Sequence, residues 1–101
     1  MFYSRVTVTP VQGKGREVRT LVEESTKKRQ GQGNAISLAT AVFGEVPSLV
    51  VTLRYNDMAE YEKNRAKNTV DKDWQEYLGK LGSMATTKVE FFEVLLPFPK
   101  S

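Results

Sequence analysis

Two residue types are missing from this chain altogether: it has no cysteine and no histidine. Without thiols there is no disulfide framework and no thiolate nucleophile. Without imidazole the commonest general base and metal ligand are gone, and so is any histidine-held haem. A serine nucleophile would have no histidine to activate it. No apolar run is long enough to span a bilayer as a helix. Residues 1–5 lack the basic start and apolar core of a secretory signal. These absences predict a cytoplasmic location, no membrane partner and no cofactor.

Charge of one sign is also scarce. The net charge is +3, with acids and bases interspersed. The densest basic cluster, Lys27-Lys28-Arg29, has no aromatic beside it, as a nucleic-acid surface would require. It reads instead as a solvated helix end whose cations suit the helix dipole, and no nucleic-acid partner is expected. Asp57, Asp71 and Asp73 do not suggest a metal, because a hard cation needs several oxygens converging on one point. Asp57 and Asp71 read as helix caps and Asp73 as a first-turn acid.

What is present has a clear order. Residues 2–9 alternate as a strand, with Ser4, Val6 and Val8 on one face and Tyr3, Arg5, Thr7 and Thr9 on the other. Over residues 14–29 the period changes: Val18, Leu21, Val22 and Ser25 form one helical stripe. Gly31 and Gly33 follow, available for a left-handed cap. Residues 35–43 and 48–55 read as two strands joined by a hairpin-length connection. Residues 55–81 read as a helix in two pieces, broken near residues 68–71, with Val70, Trp74, Tyr77, Leu78 and Leu81 as the second piece's apolar stripe. Asp57 with Glu60 three residues on matches a capping box. Residues 86–96 form a last strand, ended by Pro97 and Pro99. Phe91 and Phe92 compete for its inner face.

At 101 residues the chain is expected to be one domain spanning residues 1–101, and its margin of buried surface is thin. The order βαββαβ predicts an α+β, ferredoxin-like fold: a four-stranded antiparallel sheet with two helices on one face. The helices should cover Val6, Val8, Ile36, Leu38, Val51, Leu53, Val89 and Phe91. The other face would carry Tyr3, Thr7, Ala39, Ala41, Phe43, Val50, Thr52, Phe92, Val94 and Leu96. That face is too apolar to stay wet. A two-fold homodimer with the open sheet faces packed together follows.

Particular residues carry a family resemblance. They are Arg54-Tyr55-Asn56-Asp57 after the third strand, Tyr61 and Arg65, the run Val70-Asp71-Lys72-Asp73-Trp74-Gln75-Glu76-Tyr77-Leu78, and the closing Val94-Leu95-Leu96-Pro97. Together with the element order they resemble the dimeric α+β barrel superfamily. Within it the chain looks most like NIPSNAP-like proteins, with antibiotic-biosynthesis-monooxygenase (ABM) and EthD-type proteins as relatives. The resemblance implies a dimer whose two sheets meet as a barrel, with pockets between sheet and helices. Activities in such families include cofactor-free oxygenation of aromatics, haem breakdown and isomerisation; some members have no established activity. The haem-degrading branch depends on a histidine in the second helix, and this chain has none.

Six residues are candidates for ligand binding: Tyr3, Arg5, Arg54, Tyr61, Arg65 and Trp74. Trp74 with Tyr61 or Tyr77 can line an aromatic-accepting pocket, or Trp74 can be the core anchor of its helix. Arg5 and Arg54 can bind a carboxylate or phenolate by their forked donors, or form an ion pair with Glu90 or across the dimer. Two functions follow. One is a small-molecule binder or non-catalytic family member. The other is a cofactor-independent monooxygenase with Trp74, Tyr61, Arg5 and Arg54 around the substrate. A third reading is a subunit docking another protein through the basic helix.

Overall fold

The computed structural model describes residues 1–40 and 48–96. The end of the second predicted strand, its hairpin and the Pro97/Pro99 exit lie outside the described residues. The elements are β1 (Phe2–Pro10), α1 (Gly15–Gly31), β2 (Ile36–Thr40), β3 (Leu49–Tyr55), α2 (Met58–Thr69), α3 (Lys72–Met84) and β4 (Ala85–Glu93). The sheet order is β2-β3-β1-β4, and every neighbouring pair is antiparallel. This is the predicted ferredoxin-like plan, its second helix in two pieces.

Local chemistry sets the helix ends. The Asp57 carboxylate accepts from the Glu60 N–H at 2.8 Å, and the Glu60 carboxylate accepts from the Asn56 N–H. Asp71 starts α3 by accepting from the N–H groups of Asp73 and Trp74. The turn after α1 is made at Gly33, whose φ of 88° is open to glycine at little cost. α3 runs past residue 81, where the sequence reading ends the helix, and passes directly into β4 at Ala85.

Register decides which residues face the helices. Ser4 pairs with Leu53 and Phe91, and Val6 with Val51 and Val89. Tyr3 pairs with Arg54 and Phe92, and Arg5 with Thr52 and Glu90. Side chains alternate along a strand, so Val89 and Phe91 share the helix side while Glu90 and Phe92 share the open face. The competition between Phe91 and Phe92 is thereby resolved.

The core gathers where α1 meets the sheet. Val8, Val18 and Val22 are fully buried, packed with Ile36, Leu49, Val51, Leu81 and Ala85. Three expectations are corrected. Trp74 is half-buried and outside this core, and Leu81 is the buried anchor of α3. Val70, expected in the same stripe, is 81% exposed because it sits at the break after α2. Val89 and Phe91 face the helices as predicted but remain uncovered, each 54% exposed.

Candidate functional site

The uncovered strip follows from what α2 is made of. Its sequence, MAEYEKNRAKNT, is polar almost all round, and none of its residues is buried. Such a helix cannot fill the space above the sheet. Beneath it, Ser4 occupies a position of β1 where the alternation would otherwise place an apolar side chain. The result is a cavity of about 270 Å³ between sheet and helices. Its floor includes Ser4, Val6, Val51 and Leu53, and β4 contributes Val89 and Phe91. α2 contributes Tyr61, Asn64 and Asn68, and α3 contributes Trp74, Tyr77 and Leu78. α1 contributes Ser25, Thr26 and Arg29.

The walls are ordered by aromatic contacts. Tyr61 meets Tyr55 and Phe91 edge-to-face, with ring centroids 5.3 and 5.4 Å apart. Phe2 stacks on Tyr55 behind them. Trp74 and Tyr77 lie 5.1 Å apart on α3. Such pairs hold rings in fixed orientation and add roughly 0.5–1.5 kcal/mol each beyond area burial.

Arg29 is the polar centre of this lining. It is only 7% exposed, which corrects its placement in a solvated basic cluster. Its guanidinium carbon lies 3.6 Å from the Trp74 ring centroid, and Nη2 donates to Asn68 Oδ1 at 3.1 Å. Burial lowers the Arg29 pKa, and the nearby Asp71 charge opposes that shift. Burial raises the Tyr77 phenol, opposed by the Ser25 hydroxyl and by Arg29.

The six sequence candidates divide between the two faces of the sheet. Tyr61 and Trp74 line the cavity. Arg65 is exposed on α2 and borders a shallower outer groove with Tyr61 and Trp74. Tyr3, Arg5 and Arg54 lie on the open face, where Arg5 Nη2 pairs with Glu90 at 3.2 Å and sits over the Phe92 ring. Tyr3 stacks on Phe92. The sheet therefore lies between Arg5 and Arg54 on one side and Tyr61 and Trp74 on the other.

Arg29, Asn64 and Asn68 are cavity residues that sequence reading misses. A signal exists for the first. Arg29 is eleven residues after Val18, about three helical turns, and so continues the buried stripe of Val18 and Val22. A second groove, between α1 and α3, is edged by Glu24, Lys28, Asp73, Glu76 and Lys80. Lys28 and Asp73 bridge it at 3.3 Å with both side chains largely exposed, the character of a solvated helix junction. No helix among the described residues is long and apolar enough to cross a membrane.

The fold and cavity define a class: a ferredoxin-like α+β protein with an aromatic-lined space between its sheet and helices. Residues 8–101 match the NIPSNAP family, and the chain belongs to it. A comparison with curated proteins returns no match. Solved structures are similar over nearly the whole chain. A NIPSNAP domain protein from Burkholderia xenovorans has a TM-score of 0.82 at 18% identity, covering 99% of this chain and 100% of its own. A mutant of SnoaB, a cofactor-independent oxygenase from Streptomyces nogalater, has a TM-score of 0.72 at 15% identity, covering 98% of each chain. A dimeric ferredoxin-like protein from an uncultured marine organism has a TM-score of 0.71 at 22% identity, covering 96% of this chain and 97% of its own.

Proposed function

We propose that this NIPSNAP-family chain is a one-domain cytoplasmic homodimer that binds a small apolar or aromatic molecule in the cavity between sheet and helices. The cavity itself carries the reading: mostly apolar walls with a few convergent polar groups are the usual make-up of a ligand site. An engineered cavity of about 150 Å³ holds benzene, so about 270 Å³ suits one or two rings. Trp74 is the only tryptophan, and its fluorescence reports on the cavity directly. Titration with neutral 2-naphthamide should give a saturable change. No change with this amide or with the matching acid, 2-naphthoate, up to millimolar concentration would remove the reading.

The dimer rests on the open sheet face, where Tyr3, Val50 and Phe92 are only half-buried in one chain. Tyr3, Arg5 and Arg54 then act at the subunit interface. A light-scattering mass of one chain at micromolar concentration would sink the dimer.

A second reading is cofactor-independent oxygenation, favoured by the way Tyr61, Asn64, Asn68 and Trp74 share one cavity. The similar fold of SnoaB, itself a cofactor-independent oxygenase, supports it. Oxygen uptake in the presence of a dihydroxynaphthalene should then fall in Trp74→Phe. Uptake that survived this change would place any chemistry elsewhere.

A further inference from the structure

Arg29 is a nearly buried cation with no carboxylate at ion-pair distance among the described residues. Removing a charge from water is costly unless the charge is paired. Among the described residues no carboxylate reaches Arg29 within ion-pair distance; the four ion pairs found there involve other cations. Asp71 acts on it from further off, and the Asp71 carboxylate is committed to the N-terminal N–H groups of α3. Trp74 and Asn68 hold the guanidinium in place but bring no full negative charge.

The guanidinium also has unused donors. Arginine carries five N–H groups, and the one side-chain hydrogen bond Arg29 makes among the described residues goes to Asn68. No polar side-chain atom sealed from solvent there lacks a partner. The guanidinium nitrogens without a partner therefore keep contact with solvent, and Arg29 borders both the sheet–helix cavity and the α1–α3 groove. Asn68 also lines the cavity, and its Oδ1 is taken by Arg29, which leaves its amide N–H groups as further donors. Much of the remaining wall is apolar: Val6, Leu53, Val89 and Phe91.

From this geometry we infer that the cavity's ligand is an organic anion, a carboxylate on a one- or two-ring or similarly sized apolar body, with Arg29 binding the carboxylate and Asn68 assisting. The inference rests on the cavity being a ligand site and adds the charge of what it takes. Trp74 pre-orients the guanidinium plane, so the fork is set before the ligand arrives.

The test compares two probes of nearly equal shape, 2-naphthoate and its neutral amide, 2-naphthamide, by Trp74 fluorescence. The acid should bind about ten- to a hundredfold more tightly, the worth of a charge-assisted hydrogen bond in a desolvated site. In Arg29→Gln the preference for the acid should vanish. Arg29→Lys should keep part of it, since the charge stays and the fork is lost. Equal affinity for both probes in the unaltered chain would overturn the inference and leave the cavity reading standing. So would an acid preference that persists in Arg29→Gln. Binding of neither probe would remove both. If Arg29→Gln fails to fold, Arg29→Lys decides in its place: an acid preference undiminished there would overturn the inference.

Discussion

The two halves of the helix layer are built on opposite principles. α1 presses Val18 and Val22 into the sheet with no exposed surface, whereas no residue of α2 is fully buried. α1 packs against β2 and α3, with its Val18 and Val22 in one core with Val8, Leu49 and Val51; α2 and the start of α3 leave Val89 and Phe91 of β4 uncovered. The difference shows how a small domain can hold a cavity. Packing is concentrated at one end, so the other end need not be filled. α3 spans both regimes, with Leu81 buried in the core and Leu78, one turn earlier, 41% exposed at the cavity.

The sharpest way to break this contrast is to truncate those two leucines. Leu81→Ala should cost about 2–5 kcal/mol in chemical denaturation, the usual range for a buried leucine. Leu78→Ala should cost about 1 kcal/mol or less, because much of its surface is already wet. Equal losses would mean the cavity end is packed as tightly as the core.

Filling the open end should work in the opposite sense. Ser4→Val adds apolar volume to the cavity floor and should raise stability by about 1 kcal/mol. It should also weaken 2-naphthamide binding. A loss of stability would show that the space above Ser4 cannot accept two methyl groups.

The smallest effect lies at the border. Burial holds the Tyr77 phenol above its ordinary 10.0. The folded chain keeps that proton at a pH where the unfolded chain has lost it. This contribution to stability is therefore complete below about pH 10 and falls as pH rises through the phenol range. Tyr77→Phe should flatten that part of the stability–pH curve. A curve left unchanged would place the burial effect on another group.

Much of this is legible from residues alone. The βαββαβ order, the Asp57 and Asp71 caps and the paired faces of β1 follow from period and local hydrogen bonding, which act over a few residues. The site is less legible. Tyr61 and Trp74 stand out in the sequence and do line the cavity, but Arg5 and Arg54, which stand out equally, sit on the far side of the sheet. Arg29 follows two exposed lysines, and its neighbours along the chain assign it to solvent. Trp74 shares a stripe with Leu78 and Leu81, and that spacing alone makes it a core anchor.

What the sequence determined by itself was therefore the plan: which segments are strands and helices, where the helices start, and the family to which residues 8–101 belong. Those properties depend on neighbours along the chain. Only the tertiary structure decided where α2 and α3 come to rest, and so whether their stripe is filled or left hollow. Register chose Phe91 over Phe92 for the helix side, and the stack of Arg29 on Trp74 turned a helix-end cation into the centre of a cavity. A pairing between residues so far apart in the chain has no local signature; it exists because α1 and α3 are brought side by side on one sheet.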